Sequence, residues 1–148
     1  MLETLNAVGS PLMTLGCECG VFRREPESEG EPDRYVGSYV AIAFRKPALN
    51  TAERIYELTR GVLARTAGSD SHHYTFEITV TPLRTFFGHA KCFEMHVNAL
   101  GYGSDDAQAW AAFGAACMAI AAAVEGVIAL PPDDALFATL PTAAILPD

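Results

Sequence analysis

Four segments of the chain alternate apolar and polar side chains with a period of two, and this alternation constrains the fold more than any other feature. In the second segment Val40, Ile42 and Phe44 fall on one side, whereas Tyr39 and Arg45 fall on the other. A period of two predicts β-strands that bury one face. The predicted strands cover residues 12–24, 35–46, 72–82 and 91–100.

Two further segments have the residue spacing of amphipathic helices. Residues 51–67 place Ile55, Leu58 and Val62 in one stripe. A longer helix follows the segment Ser104-Asp105-Asp106, whose hydroxyl and carboxylates suit an N-terminal cap. The resulting order is ββαββα. We therefore predict an α+β fold, a two-layer sandwich in which an antiparallel sheet of about four or five strands carries both helices on one face.

The whole chain, residues 1–148, is expected to form one domain, because this length is typical of a single folding unit. Two segments are expected to lie outside regular structure. Residues 25–33 alternate acids with Pro, Gly and Ser, which is typical of a flexible, solvated loop. Residues 130–148 form an irregular tail with four prolines and several large apolar side chains, which need a surface to pack on.

The second helix contains 18 consecutive residues without a charge, Ala107–Val124, and most of them are alanine. That length approaches the minimum for crossing a bilayer, but alanine inserts weakly, so we interpret the segment as a buried helix and expect no membrane contact. Its larger side chains, beginning with Trp110, form one stripe, and small residues form the rest, which favours cover on a second side. That cover is either the chain's own first helix and tail, or a second copy pairing through Ala111–Ala123 in a homo-oligomer.

Charge and composition exclude several classes of function. The net charge of −8 repels phosphate backbones, so direct nucleic acid binding is not expected and a basic protein is favoured as a partner. Four scattered cysteines match neither a disulfide framework nor a zinc motif, and the N-terminus has no secretory signal, which predicts a cytoplasmic location. The chain has no phosphate-binding loop, serine-hydrolase motif or zinc-protease motif, and no cofactor is expected.

The third and fourth predicted strands indicate a polar patch. If Glu77 pairs with Glu94 in a hairpin, His73 and His96 lie on the same face, away from the helices. Carboxylates about 5 Å apart repel unless they share a proton or a metal ion. The four side chains would then form a divalent metal site, or supply the acid and base of an enzyme. The other interpretation is an ordinary solvated face, which antiparallel sheets commonly have.

A loop predicted at residues 83–89 joins these strands and holds two adjacent aromatic residues, Phe86 and Phe87. One ring is expected to enter the core. The other, beside Arg84, His89 and Lys91, is a candidate to stack on a base or to anchor a partner, with the cations holding phosphate. These five residues are the candidate ligand- or partner-binding site, and packing beneath the hairpin is the alternative.

These observations favour a small, acidic, cytoplasmic binding protein, homo-oligomeric, that acts by occupancy as an inhibitor or sequestering protein. Its expected target is a basic protein or a small anionic, nucleotide-like ligand, by analogy with immunity proteins and phage anti-defence inhibitors. The alternative is a metal-dependent or acid/base enzyme that uses the hairpin face carrying Glu77 and Glu94.

Overall fold

The computed structural model describes residues 2–23, 32–66, 73–131 and 134–137. The predicted order of strands and helices is confirmed, and a five-residue helix at the N-terminus adds to it. The predicted acidic loop at 25–33 and the end of the tail, residues 138–148, fall largely or wholly outside the described residues. The elements are α1 (Leu2–Asn6), β1 (Leu12–Arg23), β2 (Arg34–Phe44), α2 (Ala52–Thr66), β3 (Tyr74–Phe86), β4 (His89–Gly103) and α3 (Asp106–Ile128), with 3₁₀ turns at Pro47–Leu49 and Ala135–Phe137.

The four strands form one antiparallel sheet in the order β1-β2-β4-β3. The α+β architecture predicted from the alternation is therefore present, with four strands. Pro82 lies in β3, and β3 is an edge strand, so the missing backbone N–H of proline costs no sheet hydrogen bond on the free side.

One face of the sheet carries the main hydrophobic core, because α2 and α3 both pack on it. The predicted inward stripe of α2, Ile55, Leu58 and Val62, is fully buried. Two glycines let α3 come close to β4: a Cβ on Gly101 would lie 2.2 Å from the backbone nitrogen of Phe113. The strands contribute Val36, Val40, Ile42, Met95 and Val97, and α3 contributes Phe113, Ala116, Ile120, Val124 and Val127.

The side of α3 that faces away from the sheet stays apolar and lies open to solvent among the described residues. Ala111 and Ala122 are exposed there, and Met118 is 71% exposed. By length and composition α3 is the one described helix that meets the criteria for crossing a membrane, with a mean hydropathy of 1.9 and 28% of its apolar window buried. The predicted cover on a second side is therefore not supplied by the described residues.

The described part of the tail packs elsewhere. Leu136 is buried near α2, and the ring of Phe137 meets the ring of Phe44 at the end of β2, with their centroids 6.4 Å apart. These contacts give the described part of the tail a surface, but they leave the alanine side of α3 uncovered. Neither α2, which is the first predicted helix, nor the described part of the tail covers that side of α3.

Candidate functional site

The hairpin between β3 and β4 is longer and tighter than the sequence predicts. Pairing continues to Phe86 opposite His89, so the connection is only Phe87 and Gly88, and the predicted loop at residues 83–89 is wrong. Both central residues have positive φ, 46° and 81°, as a type I′ turn requires. Such a turn matches the right-handed twist of the strands, which explains why pairing extends to the last residue.

The two phenylalanines of this turn have opposite environments, as expected. Phe86 is 7% exposed and packs with Ala43 and Cys92, forming a small second cluster that is separate from the main core. Phe87 is 73% exposed, and its ring meets the edge of Phe86 at a centroid distance of 4.7 Å. A bulky residue at positive φ is strained, by about 1–2 kcal/mol. The structure thus holds a large apolar side chain in solvent at a conformational cost.

Basic side chains flank this turn on both strands. Arg84, His89 and Lys91 are all exposed, and within the described ranges neither Arg84 nor Lys91 forms an ion pair. Arg45 and Lys46 lie exposed at the same end of the sheet, just after β2 ends. We call residues 84–91 the hairpin tip. It is a local cationic region on a chain of net charge −8, and it brings all five candidate binding residues together.

The strand register contradicts the predicted Glu77–Glu94 pair. Glu77 lies opposite Asn98, and Glu94 lies opposite Thr81, four residues further along β3. The displacement is about 13 Å at ~3.3 Å per residue. The error follows from the turn, because the two-residue connection shifts β4 by four positions relative to the predicted pairing. An even shift leaves each side chain on its predicted face but changes its neighbours.

The four residues of the predicted metal or acid/base site are consequently spread along the hairpin. His73 precedes β3 and Glu94 faces Thr81, so the set spans about 26 Å at ~3.3 Å per residue. Within residues 2–131, apart from the undescribed gaps, no three His, Cys, Asp or Glu side chains lie close enough to hold a metal ion. Burial raises the pKa of Glu94 above its ordinary value, and the neighbouring His96 partly offsets the effect. The geometry gives no support to a shared site.

The face of the sheet opposite the helices, here called the open face, carries a feature that the sequence interpretation missed. Gly20 and Gly37 pair across β1 and β2, and Leu100 lies beside Gly37 on β4. With two adjacent positions lacking side chains, the surface sinks into a trough of about 500 Å³. Its walls include Glu18, Tyr39, Glu77 and Asn98. Glycine inside a strand often marks such a depression, and that signal was available in the sequence.

Tyr39 leans away from the trough floor, towards the next row of residues. Its ring lies 3.8 Å from the position that a Cβ on Gly16 would occupy, and 4.8 Å between centroids from the ring of His96. The Nε2 atom of His96 is buried and has no hydrogen-bond partner among the described residues. Because Gly16 has no side chain, the ring of Tyr39 fills the space beside it, and Tyr39 forms one wall of the trough.

Comparison of the chain with protein-family models, with curated proteins and with solved structures gives no match. Two surfaces of the described residues have the chemistry of binding sites. The hairpin tip is cationic and projects an aromatic ring, whereas the trough is acidic and concave. Both surfaces suit recognition through contact.

Proposed function

We propose that the protein acts by occupancy, as an inhibitor or sequestering protein, and that the hairpin tip is inserted into a cleft of a protein partner. The observation that carries the proposal is Phe87, an aromatic ring 73% exposed at the apex of a two-residue turn with φ of 46°. Strained residues tend to occur where function requires them. An exposed apolar ring gains free energy only when another surface covers it.

The convex shape of the tip favours a protein partner over a small ligand. Residues 87–91 are exposed without interruption, so none of the residues that the structure describes encloses a ligand stacked on Phe87. Small-molecule sites are concave and bury most of their ligand. A partner with a cleft would supply that concavity. Fully burying a phenylalanine side chain contributes about 1.5–3 kcal/mol, the scale of an interface hot spot.

Charge supports an orientation for the complex. The net charge of −8 favours a basic partner at long range, and Arg84 and Lys91 favour carboxylates at the rim of the cleft that receives Phe87. Charges at an interface rim mainly affect the association rate, and the buried ring mainly affects dissociation. The cations of the hairpin tip would thus speed association with the partner, and the buried ring of Phe87 would slow dissociation.

The uncovered side of α3 supports homo-oligomerisation as a second component of the proposal. Ala111, Ala115 and Ala122 leave little bulk on that side, so a second copy of α3 can approach closely. The exposed Met118 would be buried at the centre of such a contact. A dimer would present two hairpin tips and raise avidity for a repeated or dimeric partner.

Affinity capture with matched variants tests the proposed function. Wild-type protein, Phe87→Asn and Tyr56→Asn are immobilised and exposed to lysate of the source cells, and bound proteins are quantified by mass spectrometry. Tyr56 is the control, because it is an exposed aromatic residue, 58% accessible, that lies on α2 and outside the hairpin. We expect a partner that the wild type and Tyr56→Asn retain and Phe87→Asn loses. An identical set of bound proteins for all three would contradict the proposal.

A further inference from the structure

The open face places two carboxylates at the ends of one row of residues. Glu18 pairs with Tyr39, Tyr39 pairs with Asn98, and Asn98 pairs with Glu77, so the row crosses all four strands. Three strand spacings separate the outer residues, about 14 Å at ~4.8 Å each. One cation cannot contact both carboxylates over that distance. Two cations joined by a spacer can.

The floor of the same trough is apolar and has little side-chain bulk. The neighbouring row contains Gly20 and Gly37 followed by Leu100, which is 36% exposed. The trough of about 500 Å³ runs between this floor and the fixed ring of Tyr39. A group lying here would meet an aromatic wall and a leucine side chain, with a carboxylate beyond each end.

Both carboxylates are free to bind cations. Glu18 and Glu77 are exposed, and among the described residues neither forms an ion pair. The cationic hairpin tip lies far away, because Arg84 is seven residues beyond Glu77 on β3, about 23 Å at ~3.3 Å per residue. The charge of the trough is therefore complementary to basic groups and is not neutralised by the arginine side chains that the structure describes.

We propose that the trough is a docking site for an extended basic segment of a protein, with Arg or Lys at positions i and i+4. In an extended chain these two residues point to the same side and lie about 13 Å apart, which matches the row from Glu18 to Glu77. The side chain at i+2 points the same way and lies over Gly37, between Tyr39 and Leu100. Positions i and i+3 point to opposite sides and do not fit.

A protein segment fits this surface better than a small amine does. An exposed ion pair contributes only about 0–1 kcal/mol, so one ammonium group on Glu18 or Glu77 binds weakly. A peptide adds the second pair and the contact at i+2, with one backbone joining them. This docking site does not depend on the hairpin tip, since Phe87 lies ten residues beyond Glu77, about 33 Å at ~3.3 Å per residue.

Peptide titrations followed by amide NMR shifts test the docking site at low salt. The probes are acetylated and amidated Arg-Gly-Val-Gly-Arg, the same peptide with citrulline in place of arginine, and Gly-Arg-Gly-Val-Arg with the shorter spacing. We expect shifts confined to the trough, strongest for the first peptide. Glu18→Gln and Glu77→Gln should each weaken its binding by up to about fivefold, the upper value for one exposed pair. Glu53→Gln removes an exposed acid of α2 and should leave binding unchanged.

Several results would overturn the docking site. The citrulline peptide, or the peptide with the shorter spacing, would bind as tightly as Arg-Gly-Val-Gly-Arg. Alternatively, Glu53→Gln would weaken peptide binding as much as Glu18→Gln does, and that result would indicate attraction to net charge alone. Equal affinity for arginine amide or putrescine would assign the trough to a small amine and also overturn it. Phe87→Asn should leave peptide binding unchanged, so failure of the hairpin tip and failure of the trough are separable.

Discussion

The turn at the hairpin tip makes a prediction that runs against the usual effect of removing an aromatic residue. Phe87 and Gly88 both have positive φ, and asparagine and glycine tolerate that conformation better than other residues. Phe87→Ala and Phe87→Asn both remove the ring and its contact with Phe86, but only alanine keeps most of the strain. The difference between the two variants therefore isolates the cost of the backbone conformation.

The magnitude follows from the strain and from the ring contact. A residue other than glycine or asparagine costs about 1–2 kcal/mol in this conformation, and alanine keeps most of that cost. Phe87→Asn should therefore exceed Phe87→Ala in unfolding free energy by about 1 kcal/mol. Losing the edge-to-face contact costs about 0.5–1.5 kcal/mol, which leaves Phe87→Asn close to the wild type. Phe87→Gly should resemble Phe87→Asn, although glycine lowers stability in most other positions.

Urea unfolding followed by circular dichroism measures these differences. For a domain of this size, 1 kcal/mol corresponds to about 2–4 °C in Tm, so thermal unfolding provides a second readout. Equal stability of Phe87→Ala and Phe87→Asn would refute the strained turn. A large loss in Phe87→Asn would show that the ring is retained for stability and would weaken its assignment to binding.

Three further predictions concern the sheet, the helix contact and the oligomer. Burial raises the pKa of Glu94, so the contribution of this residue to stability is present at acidic pH and is lost as pH rises through the raised pKa. Glu94→Gln should therefore raise Tm relative to the wild type at neutral pH. The gain in Tm should vanish below about pH 4. Gly101→Ala places a Cβ 2.2 Å from the backbone of Phe113 and should destabilise by about 1–3 kcal/mol in urea unfolding, whereas Gly16→Ala, with its nearest atom at 3.8 Å, should cost much less. Met118→Glu puts a charge on the uncovered side of α3 and should convert a dimer to a monomer in native mass spectrometry; an unchanged mass would contradict pairing through α3.

The strands and their faces were predictable from the alternation, because a period of two follows directly from backbone geometry. Their register was not. The predicted loop and the observed two-residue turn place the same residues on the same faces, since they differ by an even number of positions. Phe87 lacks the preference for positive φ that would have indicated a type I′ turn, and Gly88 alone was too weak a signal.

The two candidate surfaces differ in how far the sequence could predict them. The hairpin tip is local, and the expectation of one buried and one exposed phenylalanine needed only neighbouring residues. The trough brings together Glu18, Tyr39, Asn98 and Glu77 from four strands, so it exists only once three registers are known. Stripe spacing predicted the buried side of α3, but Trp110, placed in that stripe, is 47% exposed.

The affinity of the captured partner for wild-type protein and for Phe87→Asn tests occupancy through the hairpin tip most directly. Calorimetric titration with both purified proteins gives the two Kd values, and Tyr56→Asn provides the matched control. Loss of a buried aromatic anchor costs 2 kcal/mol or more at a hot spot, so we predict that Kd rises about 30-fold or more in Phe87→Asn and stays unchanged in Tyr56→Asn. A Kd for Phe87→Asn within about twofold of the wild-type value, with the variant fully folded, would contradict that role for Phe87.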